Sequence, residues 1–385
     1  MGANPLIGVF LHWLGGLASA SFYVPYRQVR GWSWETYWLA GGVVSWIVAP
    51  WVMAGLLTHD LLPVLHGAPS SAIFWAYFFG VLWGLGGLTF GLTMRYLGLS
   101  LGMAVALGYT AVFGTLVPPI FHHQFAQLLT QKSGLIILVG VGICVLGILF
   151  AGAAGISKEN ELSHEQKLAS IREFDLKLGL GVATFCGIMS SCFAFGLDAG
   201  NPIKALTLAH GTSVMWQGLP VLVVVLAGGF TTNFVWCAAL NLRNRSYDEY
   251  LRIPAGALDR ASGEHPRLEN AVDAPSAEMA LESAMHSHSK PSLSWNYLFS
   301  ALAGATWYMQ FFFYTMGETQ MGRYKFSSWT LHMASIIIFS TLWGIALKEW
   351  RGVSRRTKML VFLTLLTLVG STVIVGYGNY LAIHP

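Results

Sequence analysis

The sequence predicts an all-α integral membrane protein with about ten transmembrane helices. Hydrophobic residues make up 54% of the 385 residues and charged residues only 10%, whereas a soluble domain carries about 25% charged residues. The mean hydropathy of +0.56 agrees with this composition. Because no soluble core could cover so much apolar surface, the chain is expected to lie in a bilayer.

Ten apolar runs have about the length that a helix needs to cross the hydrocarbon layer, roughly 20 residues. They cover residues 5–26, 36–57, 72–93, 97–119, 134–155, 178–198, 212–240, 293–316, 327–347 and 359–381. The seventh run contains Pro220 and the pair Gly228 and Gly229, so it is expected to be tilted or kinked.

The placement of positive residues predicts the orientation of the spans. Of the 22 Lys and Arg residues, eighteen follow odd-numbered spans and four follow even-numbered spans. Positively charged connections stay in the cytoplasm. Both termini are therefore expected to lie outside.

Composition also predicts how the chain is divided. Residues 1–155 are expected to form a first five-helix repeat, 156–177 a cytoplasmic linker, and 178–240 helices six and seven of a second repeat. The stretch 241–292 is rich in Pro, Ala, Ser, Glu and Arg and is predicted to be a disordered cytoplasmic insert. Residues 293–385 then supply helices eight to ten.

Short similarities between the two halves favour a repeat. The sequence SASF (19–22) near the end of span one is similar to SSCF (190–193) in span six, and GTLV (114–117) has a counterpart in STLW (340–343). Because each half has an odd number of spans, the second copy would insert upside down. Inverted repeats are common in secondary transporters, where the substrate site lies near the midplane between them.

The sequence lacks the motifs of several other classes of protein. It has no G-x-x-x-x-G-K-[ST], G-x-S-x-G or H-E-x-x-H motif. The four cysteines lie in apolar runs at spacings that suit neither a metal site nor a disulfide framework. The chain is therefore not expected to be an enzyme, and no cofactor, metal or nucleic-acid partner is expected.

Ionisable residues inside the spans are candidates for moving a proton. Each costs roughly 2.5–3.5 kcal/mol at the bilayer centre on insertion scales. His12 and His332 lie within apolar runs, and Glu35 begins span two. Histidine suits proton coupling because its ordinary pKa of about 6.5 is close to neutral pH. The alternative is that these side chains are hydrogen-bonded within the protein and have no role in transport. This alternative is stronger for the residues at the ends of spans, which are Asp198, His210 and Glu318.

One face of span eight is predicted to bind a sugar. Trp307, Gln310 and Tyr314 are spaced by three and four residues and so share one side of a helix. An indole ring can stack on the C–H surface of a sugar, while an amide and a phenol bond its hydroxyl groups. Ordinary helix packing is the alternative for this face.

Several long segments show that the chain resembles the L-rhamnose–proton symporters, a branch of the drug/metabolite transporter superfamily. They are SASFYVPYRQVRGWSWETYW, GLTMRYLGLSLGMAVALG, WYMQFFFYTMG, SSWTLHM and LKEW. The resemblance implies a ten-helix carrier of two inverted five-helix repeats that takes up L-rhamnose with a proton. Asp198 and Glu318 depart from the family pattern. The positions that match it are His12, Tyr23, Pro25, Trp32, Trp34, Glu35, Arg95, Gln310, Tyr314, His332 and Glu349.

The segment SASFYVPYRQVRGWSWETYW joins spans one and two. Pro25 frees a backbone carbonyl and allows bending. Tyr23 and Tyr26 are expected to offer hydroxyl groups to a substrate cavity. Glu35 is a candidate partner for one of the neighbouring arginines, Arg27 or Arg30. The alternative is an anchored cytoplasmic turn, because interfacial anchoring alone explains the tryptophans.

The resulting hypothesis is a carrier in the bacterial cytoplasmic membrane that imports L-rhamnose, or a closely related deoxyhexose, with a proton by alternating access. Its predicted sugar-binding residues are Trp307, Gln310, Tyr314, Tyr23 and Tyr26. Its predicted proton-coupling residues are His332, His12 and Glu35. The alternatives are a carrier or exporter of another neutral metabolite and, from a different class, a membrane-embedded enzyme or sensor.

Overall fold

The computed structural model describes residues 3–97, 99–161, 175–252 and 292–384. Over these ranges the chain forms helices and connections, and no strand occurs among the described residues. The predicted all-α class is confirmed. Most of the insert (253–291) and most of the linker (162–174) lie outside the described residues, so the predicted disorder of the insert stays a prediction.

The first half of the chain contains five long helical segments and two short helices on their connections. Its helices are α1 (Pro5–Ser21), α2 (Tyr23–Tyr26), α3 (Trp34–Gly42), a π-helix (Val43–Val48), α4 (Ala49–Leu57), α5 (Leu61–Gly67), α6 (Ser70–Leu97), α7 (Leu99–Phe121), α8 (Phe125–Thr130) and α9 (Lys132–Asn160).

The second half also contains five long helices, with a short helix after the first of them. Its helices are α10 (Leu176–Ala199), α11 (Asn201–Ala209), a 3₁₀ turn (Val214–Trp216), α12 (Leu219–Asn244), a second 3₁₀ turn (Tyr247–Tyr250), α13 (Leu293–Thr319), α14 (Ser327–Ala346) and α15 (Arg355–Ile383).

Nine helical segments in the described part of the chain are long and apolar enough to cross a membrane. They include the composite segments Pro5–Tyr26 and Trp34–Leu57. Helix α13 is not among the nine, but its 27 residues would extend about 40 Å at 1.5 Å per residue. Its Ser, Asn, Thr, Gln and Glu residues lower its hydropathy, and the candidate site lies on this same helix.

Proline explains two of the boundaries. Pro25 lacks a backbone N–H, and α1 ends at Ser21, just before the short α2 that contains this proline. The seventh span runs from Val214 to Asn244, close to the predicted start, but its first turn is 3₁₀ and the regular helix α12 starts at Leu219. Pro220 lies in the first turn of α12, where a missing N–H leaves no helical hydrogen bond unmade.

Helices from both halves of the chain contact α13. Helix α1 lies between α13 and α14, and α3 contacts α13 and α12. Helix α6 packs against α10 and α12, and α9 packs along α15. The largest buried cluster includes aromatic residues of α10, α13 and α14, such as Phe193, Tyr308 and Trp329. The interior next to α13 is therefore built mainly from rings.

Candidate functional site

Two histidines and a tyrosine from three different helices meet inside the bundle. His12 of α1 and His332 of α14 each lie with their ring centroids 5.3 Å from that of Tyr314 of α13, both in edge-to-face geometry. All three are buried, with exposed fractions of 0% for His12, 1% for His332 and 3% for Tyr314. We call these three residues the histidine cluster.

The ring nitrogens of the histidine cluster are mostly unpaired. Neither Nδ1 nor Nε2 of His12, nor Nδ1 of His332, has a hydrogen-bond partner among the residues that the structure describes. An unsatisfied buried polar group costs about 1–3 kcal/mol, so native proteins retain few without a reason. Each imidazole nitrogen can donate or accept depending on its protonation. The cluster can therefore bind a hydroxyl group or a proton.

Two glycines allow the helices to approach closely enough to form this cluster. A Cβ atom on Gly15 of α1 would lie 2.9 Å from the backbone oxygen of Gln310 and 3.5 Å from Nδ1 of His332. A Cβ atom on Gly317 of α13 would lie 2.9 Å from Nε2 of His12. Larger residues at either position would push α1 away from α13 and separate the rings.

Aromatic residues that the sequence did not single out form the wall beside the histidine cluster. Trp329 lies 5.9 Å from Tyr314 and 6.2 Å from His332 between ring centroids, and its indole N–H donates to the backbone oxygen of Thr110 at 2.9 Å. Phe193 packs on Trp329 at 5.9 Å. Phe193 lies in the motif SSCF and Trp329 in the motif SSWTLHM. Trp329 also precedes His332 by about one helical turn, so the sequence could have indicated that it lies beside this histidine.

The three residues of the predicted sugar-binding face lie on the interior side of α13. Gln310 and Tyr314 are buried, with 4% and 3% of their surfaces exposed, and Trp307 is half-buried against the core. Trp307 and Tyr314 are seven positions apart, which corresponds to about 10 Å along the helix. This face therefore joins the histidine cluster to a second group of aromatic residues, and its role in binding stays a prediction.

The second group surrounds a narrow cleft beside Trp307. Phe22, Tyr26, Trp38, Gly42, Ser45, Trp46, Gly304 and Trp307 line it. Tyr23 is half-buried outside this lining, and its ring lies tilted against that of Phe22 with the ring centroids 3.9 Å apart. The cleft has room for about one water molecule. A sugar could enter only if the surrounding helices moved apart.

Glu35 lies elsewhere, in a contact between α3 and the end of α12. It is buried, and its Oε1 accepts hydrogen bonds from Ser246 Oγ at 2.7 Å and Asn244 Nδ2 at 3.0 Å. Tyr250 is close by, and burial raises the pKa of its hydroxyl to about 12, so it stays neutral. The structure thus brings together His12, Tyr314 and His332 but does not place Glu35 with them.

Charged residues at the ends of spans take part in polar pairs that the sequence did not predict. Lys204 of α11 donates to Glu318, in the last turn of α13, at 2.9 Å, and their side chains are only 6% and 15% exposed. Nε2 of His122 and Oδ2 of Asp198 lie 2.6 Å apart at the protein surface. Pairing between helices is not visible in a sequence, since the partners are far apart along the chain.

Comparison with known proteins identifies relatives along almost the whole chain. A family model described as L-rhamnose-proton symport protein matches residues 1–249 and 277–381. An L-rhamnose-proton symporter of Klebsiella pneumoniae is 33% identical over 373 residues, which cover 97% of each chain. Proteins with the same description from Shigella flexneri and Yersinia pestis are also 33% identical, over 97% of this chain and 97% and 98% of theirs.

Proposed function

Because the chain belongs to the L-rhamnose-proton symport protein family, we propose that it imports L-rhamnose, or a closely related deoxyhexose, together with a proton. The observation that carries this proposal is the histidine cluster. Its three residues come from three helices, and three of its ring nitrogens have no partner within the described ranges. Such groups are available to a substrate and a proton.

The two histidines provide the proton site. His12 and His332 both contact Tyr314 in a buried site, where two positive charges would repel each other, so the pair holds one proton at a time. A protonated imidazole donates from both nitrogens, whereas the neutral ring donates from one and accepts at the other. Protonation therefore changes the hydrogen-bond donors that a sugar meets, so the affinity for the sugar and the affinity for the proton depend on each other. Glu35 is the third proposed coupling residue, at the contact between α3 and α12.

The energy available from one proton is sufficient for uptake. A charge that moves down a potential of about 100 mV releases about 2.3 kcal/mol. Since each factor of ten in concentration corresponds to about 1.4 kcal/mol, one proton supports more than tenfold accumulation of a neutral sugar.

The face of α13 supplies the contacts for the sugar. Gln310 and Tyr314 offer polar groups and Trp307 offers a ring, with Tyr26 and Tyr23 at the end nearer the cleft. Each buried hydrogen bond that a wrong stereoisomer cannot make costs about 1–3 kcal/mol. The methyl group of a 6-deoxy sugar adds about 1 kcal/mol by burial. The hydroxyl groups therefore contribute most of the selectivity.

The packing pattern supports two inverted five-helix repeats, as in the drug/metabolite transporter superfamily. When each long helix is exchanged for its counterpart in the other half, the contact of α1 with α13 becomes that of α10 with α6. The contact of α1 with α14 becomes that of α10 with α7 in the same way. Both termini lie on the outer side of the bacterial cytoplasmic membrane. The site lies between the two halves, and alternating access opens it first to one side of the membrane and then to the other.

Uptake of labelled L-rhamnose into membrane vesicles tests the proposed function. We expect accumulation that collapses when a protonophore is added. Equilibration that a protonophore does not affect would indicate facilitated exchange. Absence of flux for rhamnose, together with flux of another neutral solute, would identify a carrier for other cargo, and absence of any flux would favour an enzyme or sensor. Vesicles without the protein are the control.

A further inference from the structure

Trp46 carries a buried donor that the proposed function has not used. Its side chain is 3% exposed and lines the cleft beside Trp307. Its indole Nε1 has no hydrogen-bond acceptor in the described part of the chain. A phenylalanine would fill most of the same region without leaving a polar group unpaired, so the N–H needs a reason of its own.

The backbone at Trp46 is also unusual. Residues Val43–Val48 form a π-helix between α3 and α4, and the N–H of Ala49 donates to the oxygen of Val44, five residues earlier. Short π-helical turns are rare and frequently occur at functional sites. This turn carries Ser45 and Trp46, the two residues that it contributes to the cleft lining.

The rings around Trp46 are arranged as the walls of a sugar site would be. The Trp46 ring lies 5.3 Å from that of Trp307 at 81° and 6.0 Å from that of Trp38 at 67°. Tyr26 lies 6.2 Å from Trp38 on the same cleft. Apolar ring faces beside a few polar groups are typical of small-molecule sites.

We infer that Trp46 is a sugar-contacting and specificity-determining residue, whose indole N–H donates to one hydroxyl of the pyranose when the helices around the cleft move apart. The inference rests on the proposed function, because it adds a contact to that same transport site. Trp46 of span two then acts with Trp307 of span eight, so the sugar is held by helices from both halves of the chain.

The experiment compares Trp46→Phe with wild type in vesicles. This variant keeps one aromatic ring and removes the indole N–H together with part of the ring surface. We expect its KM for L-rhamnose to rise about 5- to 30-fold, the loss of one hydrogen bond, with a maximal rate within about twofold once it is normalised to the protein in the membrane. KM does not depend on the amount of carrier, so partial loss of insertion does not hide the effect.

Trp350→Phe is the matched control. The indole nitrogen of Trp350 also has no acceptor among the described residues, but this residue lies in the connection between α14 and α15, 5.2 Å from Lys158 Nζ to its ring centroid. The KM of Trp350→Phe for L-rhamnose is expected to equal that of wild type. A KM increase of the same size in both variants would assign the effect to general packing and overturn the inference.

Monodeoxy analogues of L-rhamnose, each lacking a different ring hydroxyl, distinguish a direct contact from a structural role. If Trp46 donates to one hydroxyl, Trp46→Phe and wild type should have equal KM values for the one analogue that lacks it and should differ for the others. An equal KM increase for every analogue, or an unchanged KM for L-rhamnose, would overturn the inference alone. Absence of rhamnose uptake by wild type would overturn the proposed function and, with it, this inference.

Discussion

At the scale of single residues, the histidine cluster is the feature that packing alone does not explain. His12 and His332 are buried, and their rings contact Tyr314 edge to face. Two phenylalanines would make similar ring contacts without unpaired nitrogens, at a lower cost of burial. The imidazole rings are therefore expected to matter for transport more than for stability.

His332→Ala tests this expectation. We expect it to abolish most proton-driven L-rhamnose uptake, at least about tenfold, because it removes a proton site and a hydrogen-bonding group. Uptake into vesicles is measured after the amount of inserted protein has been determined. His66→Ala, at an exposed histidine of α5, is the matched control and should transport normally. Near-normal uptake by His332→Ala would remove His332 from the site.

Gln310→Ala tests the sugar-binding face separately. It leaves both histidines in place and removes an amide that is only 4% exposed. We expect KM for L-rhamnose to rise by about one to two orders of magnitude, since one or two hydrogen bonds to the sugar are lost. The pH dependence of uptake should not change. Uptake with a wild-type KM would show that Gln310 does not contact the sugar.

Glu35→Gln separates coupling from structure at the contact of α3 with α12. The amide retains an oxygen that can accept from Ser246 or Asn244, but it cannot carry the charge. We expect accumulation driven by a pH gradient to fall severalfold while exchange of labelled for unlabelled rhamnose persists. If accumulation stays at the wild-type level, Glu35 has only a structural role.

At the scale of helices, the ion pair between Lys204 and Glu318 joins the short α11 to the end of α13. It is 2.9 Å long and largely buried. A buried ion pair adds little net stability compared with apolar residues, but removing one partner leaves an uncompensated charge. The pair therefore favours one position of α11 against the end of α13, the helix that carries the candidate site.

Neutralising the pair is expected to have a non-additive effect on stability. Lys204→Met and Glu318→Gln should each destabilise the protein in detergent by about 3 kcal/mol, and the double variant should recover most of this loss. The stability of each variant is measured by heating the protein in detergent and recording the fraction that stays monodisperse. Additive losses in the double variant would mean that the two charges do not depend on each other.

At the scale of the whole molecule, the topology predicts where each connection lies. If each half has five spans, the second half is inverted, and the distribution of Lys and Arg predicts that both termini lie outside. The proposed alternating access depends on this arrangement, because the two halves must present equivalent paths to opposite sides of the membrane.

Labelling of single cysteines in intact cells tests the orientation. The four native cysteines are buried and free and would first be replaced by serine or alanine. Asn4→Cys and His384→Cys are then expected to react with a membrane-impermeant maleimide, whereas Arg356→Cys should react only after the cells are opened. The reverse pattern of labelling would contradict the predicted orientation.

Composition and periodicity predicted the membrane class, most of the long helices and the shared face of Trp307, Gln310 and Tyr314. These are properties of segments of about 20 residues, and the sequence contains them directly because burial in lipid requires apolar side chains and satisfied backbone groups. The 3₁₀ turn before α12 and the short α11 were not predicted, since tertiary contacts rather than hydropathy determine such details.

Only the tertiary structure decided which polar residues meet. The sequence did not distinguish Glu35 from His12 and His332, and it did not pair Lys204 with Glu318. A helical pattern predicts which residues share a face of one helix, but the rotation of each helix and its neighbours depend on packing between segments distant in sequence. Glycines such as Gly15 and Gly317 determine where α1 and α13 approach closely, and so they position His12 beside Tyr314.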